Sequence, residues 1–344
     1  MTEKTTLVVT TIAAPNAALR LLAAGCVKQG WDFIVIGDQA SPPDFQLEGC
    51  RFYSLTEQKQ LDLEYAALCP VRHYARKNLG YLLAMREGSS LIVETDDDNF
   101  PGEDFWLPRA RQRKASIYSG RDWVNVYRYF TDNHIWPRGL PLDHINDPLP
   151  DWNTLAAGQP DCPVQQGLCD GDADVDAVFR LTQPLEVSFR RDRNLALNPG
   201  AWCPFNSQNT SWWRAAFPLL YLPATCTFRM TDIWRSFVAQ RIAWTNDWSI
   251  MFHPSNVHQE RNRHDLMRDF IDELPGYLNN NSICQSLAEL ELSSGVGSIS
   301  DNLRVCYEML VRAGLCEERE LDLLDAWVAD IERGGSTIGV ATRF

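Results

Sequence analysis

Short unbroken apolar runs alternate with helix-forming stretches through the first hundred residues. "TTLVVTTI" (5–12) is β-branched and stops near Pro15, which predicts a strand and a turn. "NAALRLLAAGCVKQG" (16–30) is rich in helix formers and closes on Gly30, and "WDFIVIGD" (31–38) is a second strand. Strand, helix, strand is the opening of a parallel sheet and places the chain in the α/β class. "FYSL" (52–55) predicts a short strand, followed by a helix over "TEQKQLDLEYAALCP" with a capping-box-like start at Thr56/Lys59. "VRHYARKNLGYLLAMREG" (71–88) predicts one helix ended by Gly88, and "SSLIVET" the next strand. Residues 106–165 hold many prolines, tryptophans and glycines and read as loops and short elements. From about 264 the pattern turns helical, as in "SDNLRVCYEMLVRAGL" and "EERELDLLDAWVADIERGG".

Composition narrows the class. With 344 residues, 45% hydrophobic and 22% charged, the chain has the make-up of a globular protein. No apolar run approaches the ~20 residues that cross a bilayer. The N-terminus lacks the charged and apolar regions of a signal peptide, so a cytoplasmic protein is expected. Ten cysteines form no CxxC pair, which disfavours zinc and predicts buried reduced thiols. A net charge of −13 repels phosphate backbones and argues against nucleic acid. It leaves room for a nucleotide held through a local cation.

The strand ending at Thr95 runs straight into Asp96, Asp97 and Asp98. In open parallel sheets ligands bind beyond the carboxyl ends of strands. Three carboxylates there repel one another unless a positive charge is present, and their physical use is to hold a hard divalent cation, Mn2+ or Mg2+, with oxygen ligands shared by phosphates. The competing reading is a solvated acidic turn. Arg76 and Lys77, on the preceding helix, are candidates to face a pyrophosphate. Asp232, in "RMTDIWRSF", reads either as a helix cap or as a catalytic carboxylate. Asp172, Asp174 and Asp176 have calcium-loop spacing but lack the loop's glycine and distal glutamate, so that reading is rejected. Asn206 and Gln208 offer amides suited to sugar hydroxyls or to backbone caps, and Trp234 either stacks on a sugar or packs in the core. His253, His258 and His264 cluster in one segment. No GxxxxGK[ST] loop supports a phosphotransferase.

"VVTTI…GWDFIVIGD", "RHYARKNLGYLLAMREGSSLIVETDDDNFP", "DADVDAVFRLT", "FNSQNT" and "TDIWRSFVAQRIAW" together resemble the STELLO-type family of glycosyltransferases, from about residue 5 to about 270. More distantly, "DVDAVFRLT", "MTDIWRSF" and "MFHPSN" are similar to blocks of the reversibly glycosylated polypeptides, the UDP-arabinopyranose mutases. The resemblance implies a GT-A-like, Rossmann-like core over 1–263, with a donor half to about 105 and an acceptor half after it, then a helical region over 264–344. It implies an inverting, metal-dependent transfer from a nucleotide sugar, UDP-linked by family likeness, to a glycan or other hydroxyl acceptor. Thr10, Thr11 and Asp38 would face the nucleoside, Asp96 the ribose and Asp98 the metal, with Asp97 sharing either role. Asp174 and Asp176 would line the cleft, Asp232 would be the base and His253 a further metal ligand. A sugar-nucleotide mutase, a self-glycosylating protein and a non-catalytic scaffold are the alternatives on the same fold. Oligomeric state is not legible in the sequence.

Overall fold

The computed structural model describes residues 3–183, 186–260 and 265–340, with side chains described to Gly334. The N-terminal β-branched run forms β1 (Thr5–Thr11). Asn16 then caps α1 (Ala17–Gln29), its side chain accepting from the Leu19 amide at 2.9 Å, and Gly30 ends the helix at φ 69. β2 (Asp32–Gly37) and β3 (Arg51–Tyr53) follow.

Two predicted helices are shorter than their patterns. The segment after β3 is two pieces, α2 (Leu55–Gln58) and α3 (Glu64–Leu68), and its capping box is Ser54 with Glu57 rather than Thr56/Lys59. The Asp330 carboxylate accepts from the amides of Glu64 and Tyr65, both at 2.9 Å, and so starts α3 from outside. The stretch 71–88 becomes a 3-10 turn at Tyr74–Arg76 and then α4 (Lys77–Arg86). Arg72 stands at φ 56 and His73 is extended, so the helix cannot begin earlier.

β4 (Leu91–Thr95) ends at the aspartates, and β5 (Asn99–Pro101) follows them. The middle region, expected to be loops and short elements, carries β6 (Ala115–Tyr118), α5 (Tyr127–Phe130) and β7 (Ala156–Gly158). Beyond it come β8 (Val164–Gly171), α6 (Ala177–Thr182), β9 (Leu195–Leu197) and β10 (Asn209–Trp213). α7 (Thr231–Trp244) and β11 (Ile250–Gln259) follow, and after residue 264 come α8 (Leu266–Glu289), α9 (Ile299–Arg312) and α10 (Glu320–Val340), the helices that the C-terminal pattern predicts.

One mixed sheet gathers the described strands in the order β3-β2-β1-β4-β10-β8-β11-β9-β6-β7, with β5 beside β11. β1, β2, β3 and β4 are parallel, and β10 is antiparallel to both β4 and β8. β8 and β11 therefore point the same way as β4, and they pair in parallel. The consequence decides the site. The ends of β1, β2, β4, β8 and β11 and the start of β10 all lie at one edge of the sheet.

Alternation of side chains gives the sheet two buried faces. Val8, Ile34, Ile36, Ile92 and Trp212 pack with α4, α7 and the C-terminal helices in one large core. Leu7, Val9, Phe33, Val35 and Val93 pack under α1 in a second. A buried ion pair ties α7 to β4: Arg235 donates to both Glu94 oxygens at 2.8 and 3.0 Å, with Trp212 Nε1 donating to the same carboxylate at 2.8 Å. All ten cysteines are free thiols. No helix among the described residues is long and apolar enough to cross a membrane.

Candidate active site

A cavity of about 610 Å3 opens at the sheet edge where those strands end. Asp96, Asp97 and Asp98 line it, and each turns to a different element. Asp96 accepts from Tyr74 Oη at 2.8 Å and Lys77 Nζ at 3.3 Å. Lys77 is wholly buried beneath it and also donates to the Thr95 and Ser207 carbonyls at 2.8 and 3.2 Å. Burial pushes the Asp96 carboxyl up to about 6 against the pull of Lys77, and the Asp98 charge adds to the rise. Asp97 accepts from Thr11 Oγ1 at 2.5 Å, while its carbonyl accepts from Asn16 Nδ2 at 2.8 Å; burial raises its pKa as well. Asp98 Oδ1 accepts from Gln259 Nε2 on β11 at 2.9 Å. Gln259 in turn accepts from Gln208 Nε2 at 2.7 Å, so Gln208 reaches the acidic motif through one amide.

Thr10, Thr11, Asp38 and Arg76 also line the cavity. The two Asp38 oxygens accept from the backbone amides of Arg72 and His73, each at 2.9 Å. The Arg76 guanidinium is turned to Gln58 Oε1, at 2.8 Å from Nε, and to the carbonyls of Cys69 and Pro70, both at 3.1 Å. Arg76 and Lys77 are thus both engaged by the protein itself.

The opposite wall is built on Arg138. Its guanidinium holds Asp174 through two bonds of 2.8 Å and Asp232 through bonds of 3.0 and 3.1 Å, and all three residues are buried. Its Nη1 also donates to the Arg229 carbonyl. Asn206 Nδ2 donates to Asp174 at 2.8 Å, and the Ser207 amide donates to Asp232 at 3.1 Å. Asp232 sits in the first turn of α7, after the cap position, with its carboxylate turned to Arg138. Burial raises its pKa, but the Arg138 charge and hydrogen bonds outweigh that and hold it below the ordinary carboxylate range.

Lys77, Asp176, Asn206, Trp234 and His253, all singled out from the sequence, lie off the cavity lining. Asp176 caps α6, accepting from the Phe179 amide at 2.7 Å and Trp136 Nε1 at 2.6 Å, and burial pushes its pKa up to about 6. Trp234 packs in the core, with Nε1 donating to Asn280 at 2.9 Å. His253 lies within β11 with its ring against Gly167, where an added Cβ would come within 2.6 Å of Cε1. Its Nδ1 is 2.9 Å from the Pro254 carbonyl. Burial, with Arg113 and Arg109 nearby, pushes its pKa down to about 3. Asn206 is likewise behind the wall, against Asp174. His264 lies outside the described residues.

Tyr74, Ser207, Gln259 and Arg138 complete the site and were not legible. Tyr74 Oη and Ser207 Oγ are 2.6 Å apart, which links the Asp96 and Asp232 walls. Among the described residues no group of three or more His, Cys, Asp or Glu side chains is arranged to hold a metal ion.

The sheet order, with its antiparallel strand beside β4 and acidic residues at the β4 exit, defines a mixed α/β, GT-A-like core. Residues 229–339 match the family model described as STELLO glycosyltransferases, a span that takes in Asp232, α7, β11 and the C-terminal helices. The chain is 29% identical over 330 residues to "Probable glycosyltransferase STELLO2" of Arabidopsis thaliana, 89% of this chain and 42% of that one. It is 29% identical over 325 residues to "Probable glycosyltransferase STELLO1" of the same plant, 88% of this chain and 41% of that one. The chain thus spans about two fifths of the length of the curated relatives it matches. A solved structure described as a mycobacterial protein aligns with a TM-score of 0.42 and 10% identity, over 81% of this chain and 75% of that one.

Proposed function

We propose that the chain is a metal-dependent glycosyltransferase that moves a sugar from a nucleotide-sugar donor, UDP-linked by family likeness, to a hydroxyl of a glycan or other acceptor. One observation carries the reading. Asp96 and Asp98 at the end of β4 and Asp232 at the start of α7 line the same cavity. Asp96 and Asp98 supply carboxylate oxygens of the kind a hard cation takes, and because no group of three His, Cys, Asp or Glu side chains is arranged to hold an ion among the described residues, the donor's phosphate oxygens would have to complete the set. Asp98 and Asp96 would hold the ion, which supplies positive charge where the diphosphate leaves.

The acceptor hydroxyl attacks the anomeric carbon, the bond from that carbon to the diphosphate oxygen breaks, and the hydroxyl proton passes to Asp232. Arg138 keeps Asp232 ionised and ready to accept, at the cost of basicity. Proton transfer then belongs late in the step, when the new glycosidic bond has made the hydroxyl acidic.

A thermal-shift screen of nucleotides and nucleotide sugars, with and without Mn2+ or Mg2+, tests the reading. A ligand at 100 times its Kd stabilises the fold by about 2.7 kcal/mol. The expected result is a metal-dependent shift with one class of nucleotide sugar, lost in Asp98→Ala. An unchanged metal dependence in that variant removes Asp98 as a ligand, and no shift with any nucleotide overturns the donor reading. Asp232→Asn is expected to keep donor binding and lose transfer; full transfer would exclude Asp232 as the base.

A further inference from the structure

Four arginines line the cavity: Arg72, Arg76, Arg138 and Arg229. Three are spent within the protein. Arg76 is held by Gln58 and two carbonyls, Arg138 by Asp174 and Asp232, and Arg229 by Glu273 at 2.8 Å. Among the described residues the Arg72 side chain has no hydrogen bond or ion pair, and the residue is exposed. An exposed arginine is commonplace, but its backbone is not. Arg72 stands at φ 56, and Asp247 is the other described non-glycine residue with positive φ. That region disfavours a residue with a Cβ, and such strain persists where the surroundings impose it.

The surroundings that impose it are identifiable. Asp38, at the end of β2, takes the Arg72 amide on one oxygen and the His73 amide on the other, both at 2.9 Å. The next turn fixes His73 in the same way. The Ala75 amide donates to His73 Nδ1 at 3.0 Å, so Nε2 carries the proton and is a donor. His73 lines the cavity too. The turn between Pro70 and Tyr74 therefore presents a guanidinium and an imidazole N–H, held in place by a carboxylate that gives up both oxygens to do so.

We infer that Arg72, assisted by the Nε2–H of His73, binds the diphosphate of the nucleotide donor, and that Asp38 is a positioning residue that sets this turn. The inference rests on the donor reading above and moves the phosphate contact from the Arg76–Lys77 pair to the turn before it. It also gives Asp38 a different task from a direct contact with the nucleoside.

The test is titration calorimetry of the full chain with UDP, GDP, uridine, guanosine and inorganic pyrophosphate, each with Mg2+. Arg72→Ala is expected to weaken diphosphate and pyrophosphate binding about 10- to 100-fold, as for a lost charge-assisted contact, and to leave nucleoside binding unchanged. Arg72→Lys should recover only part of the loss, because a point charge replaces a fork. Arg72→Gly controls for folding: glycine accepts positive φ, so this variant should be at least as stable as the parent and still lose the diphosphate. Asp38→Asn should lower diphosphate affinity and spare the nucleosides. Diphosphate affinity within about two-fold of the parent in both the alanine and glycine variants overturns the inference, since the contact is worth more than that. Failure of the parent chain to bind any diphosphate overturns the donor reading itself, and the two failures are told apart by the parent titration alone.

Discussion

Arg138 is the residue on which the cavity wall opposite Asp96–Asp98 depends. Its guanidinium lies between Asp174 and Asp232, and removing it would leave two buried carboxylates facing each other. Breaking a buried ion pair on one side costs about 3–5 kcal/mol, and Arg138→Ala is expected to lose at least that much in chemical denaturation. Arg138→Lys should rescue little, because one ammonium cannot reproduce a fork that bonds two carboxylates at once. A loss below about 1 kcal/mol would mean that water compensates the carboxylates, as for exposed pairs. The two aspartates stood out in the sequence, Asp174 by its spacing to Asp172 and Asp176 and Asp232 as a helix cap or catalytic carboxylate. Their partner did not: "WPRGL" carries no periodicity, and only the fold brings it to Asp232. His253 yields a prediction of a different kind. Its folded pKa is depressed to about 3, so the fold admits only the neutral ring. Above the unfolded value of about 6.5 this has no effect; as pH falls below it the unfolded chain takes up a proton that the fold refuses, and stability drops by up to about 1.4 kcal/mol per pH unit. His253→Gln should therefore flatten the acid limb of stability between about pH 6.5 and 4, measured by denaturant titration, and leave metal-dependent nucleotide binding intact. An acid limb as steep as the parent's would show that His253 is free to charge in the fold.

Between elements, α4 packs closely against β1 and β2 at Gly80. A Cβ added at Gly80 would come within 2.5 Å of Val8 Cγ1 and 3.1 Å of Ile36 Cγ1. Alanine is the better helix former by about 1 kcal/mol, yet overpacking costs about 1–3 kcal/mol. Gly80→Ala is therefore expected to destabilise by about 1 kcal/mol net, and Val8→Ala in the same chain to relieve part of that strain. Denaturation of both single variants and the double gives the coupling; strictly additive losses would show that the two positions do not touch. The strands of this half were legible because they are unbroken apolar runs buried on both faces: β1, β2 and β4 stand where the pattern puts them. β8 and β10 were not, because "VQQGLCDG" and "NTSWW" carry polar side chains into a buried sheet. Gln165 donates to the Ala110 carbonyl at 2.9 Å and Asn209 to the Leu168 carbonyl at 3.1 Å, and such partners are invisible in one sequence. The helix read over 71–88 fails at its start for the same reason. Asp38 takes the amides of Arg72 and His73, and no local signal announces a carboxylate from the end of β2, more than thirty residues earlier.

At the scale of the whole molecule, the C-terminal helices are joined to the core that carries the site. Their helical pattern was plain in the sequence, but not what they hold. Glu320 is fully buried and accepts from the Ala224 amide at 3.0 Å, the Thr225 amide at 2.8 Å and the Tyr221 hydroxyl at 2.5 Å. Asp330 starts α3 through two amides, and Trp327 packs against Tyr65 and Tyr221 while donating to the Pro218 carbonyl at 3.1 Å. Trp327, Leu303 and Cys306 belong to the same core as Val8, Ile92 and Trp212. Ending the chain after Glu289 would therefore uncover that core and orphan at least four backbone amides, those of Glu64, Tyr65, Ala224 and Thr225. Water can pair those amides once they are exposed, but the apolar surface cannot be compensated: Leu303, Leu310, Leu323 and Leu324 alone bury about 1.5–3 kcal/mol each, which rivals the 5–15 kcal/mol that holds a typical protein together. The expected outcome is a chain without a cooperative thermal transition and without metal-dependent nucleotide stabilisation, read by circular dichroism and thermal shift. Glu320→Gln provides the finer test. It keeps the shape but can accept on only one oxygen, and it should lower the midpoint while the protein still folds and binds nucleotide. A truncated chain that melted cooperatively and bound nucleotide like the parent would show that the helices only sit on a self-sufficient core. A destabilised Glu320→Gln that binds normally would show that they stabilise the core without entering the chemistry.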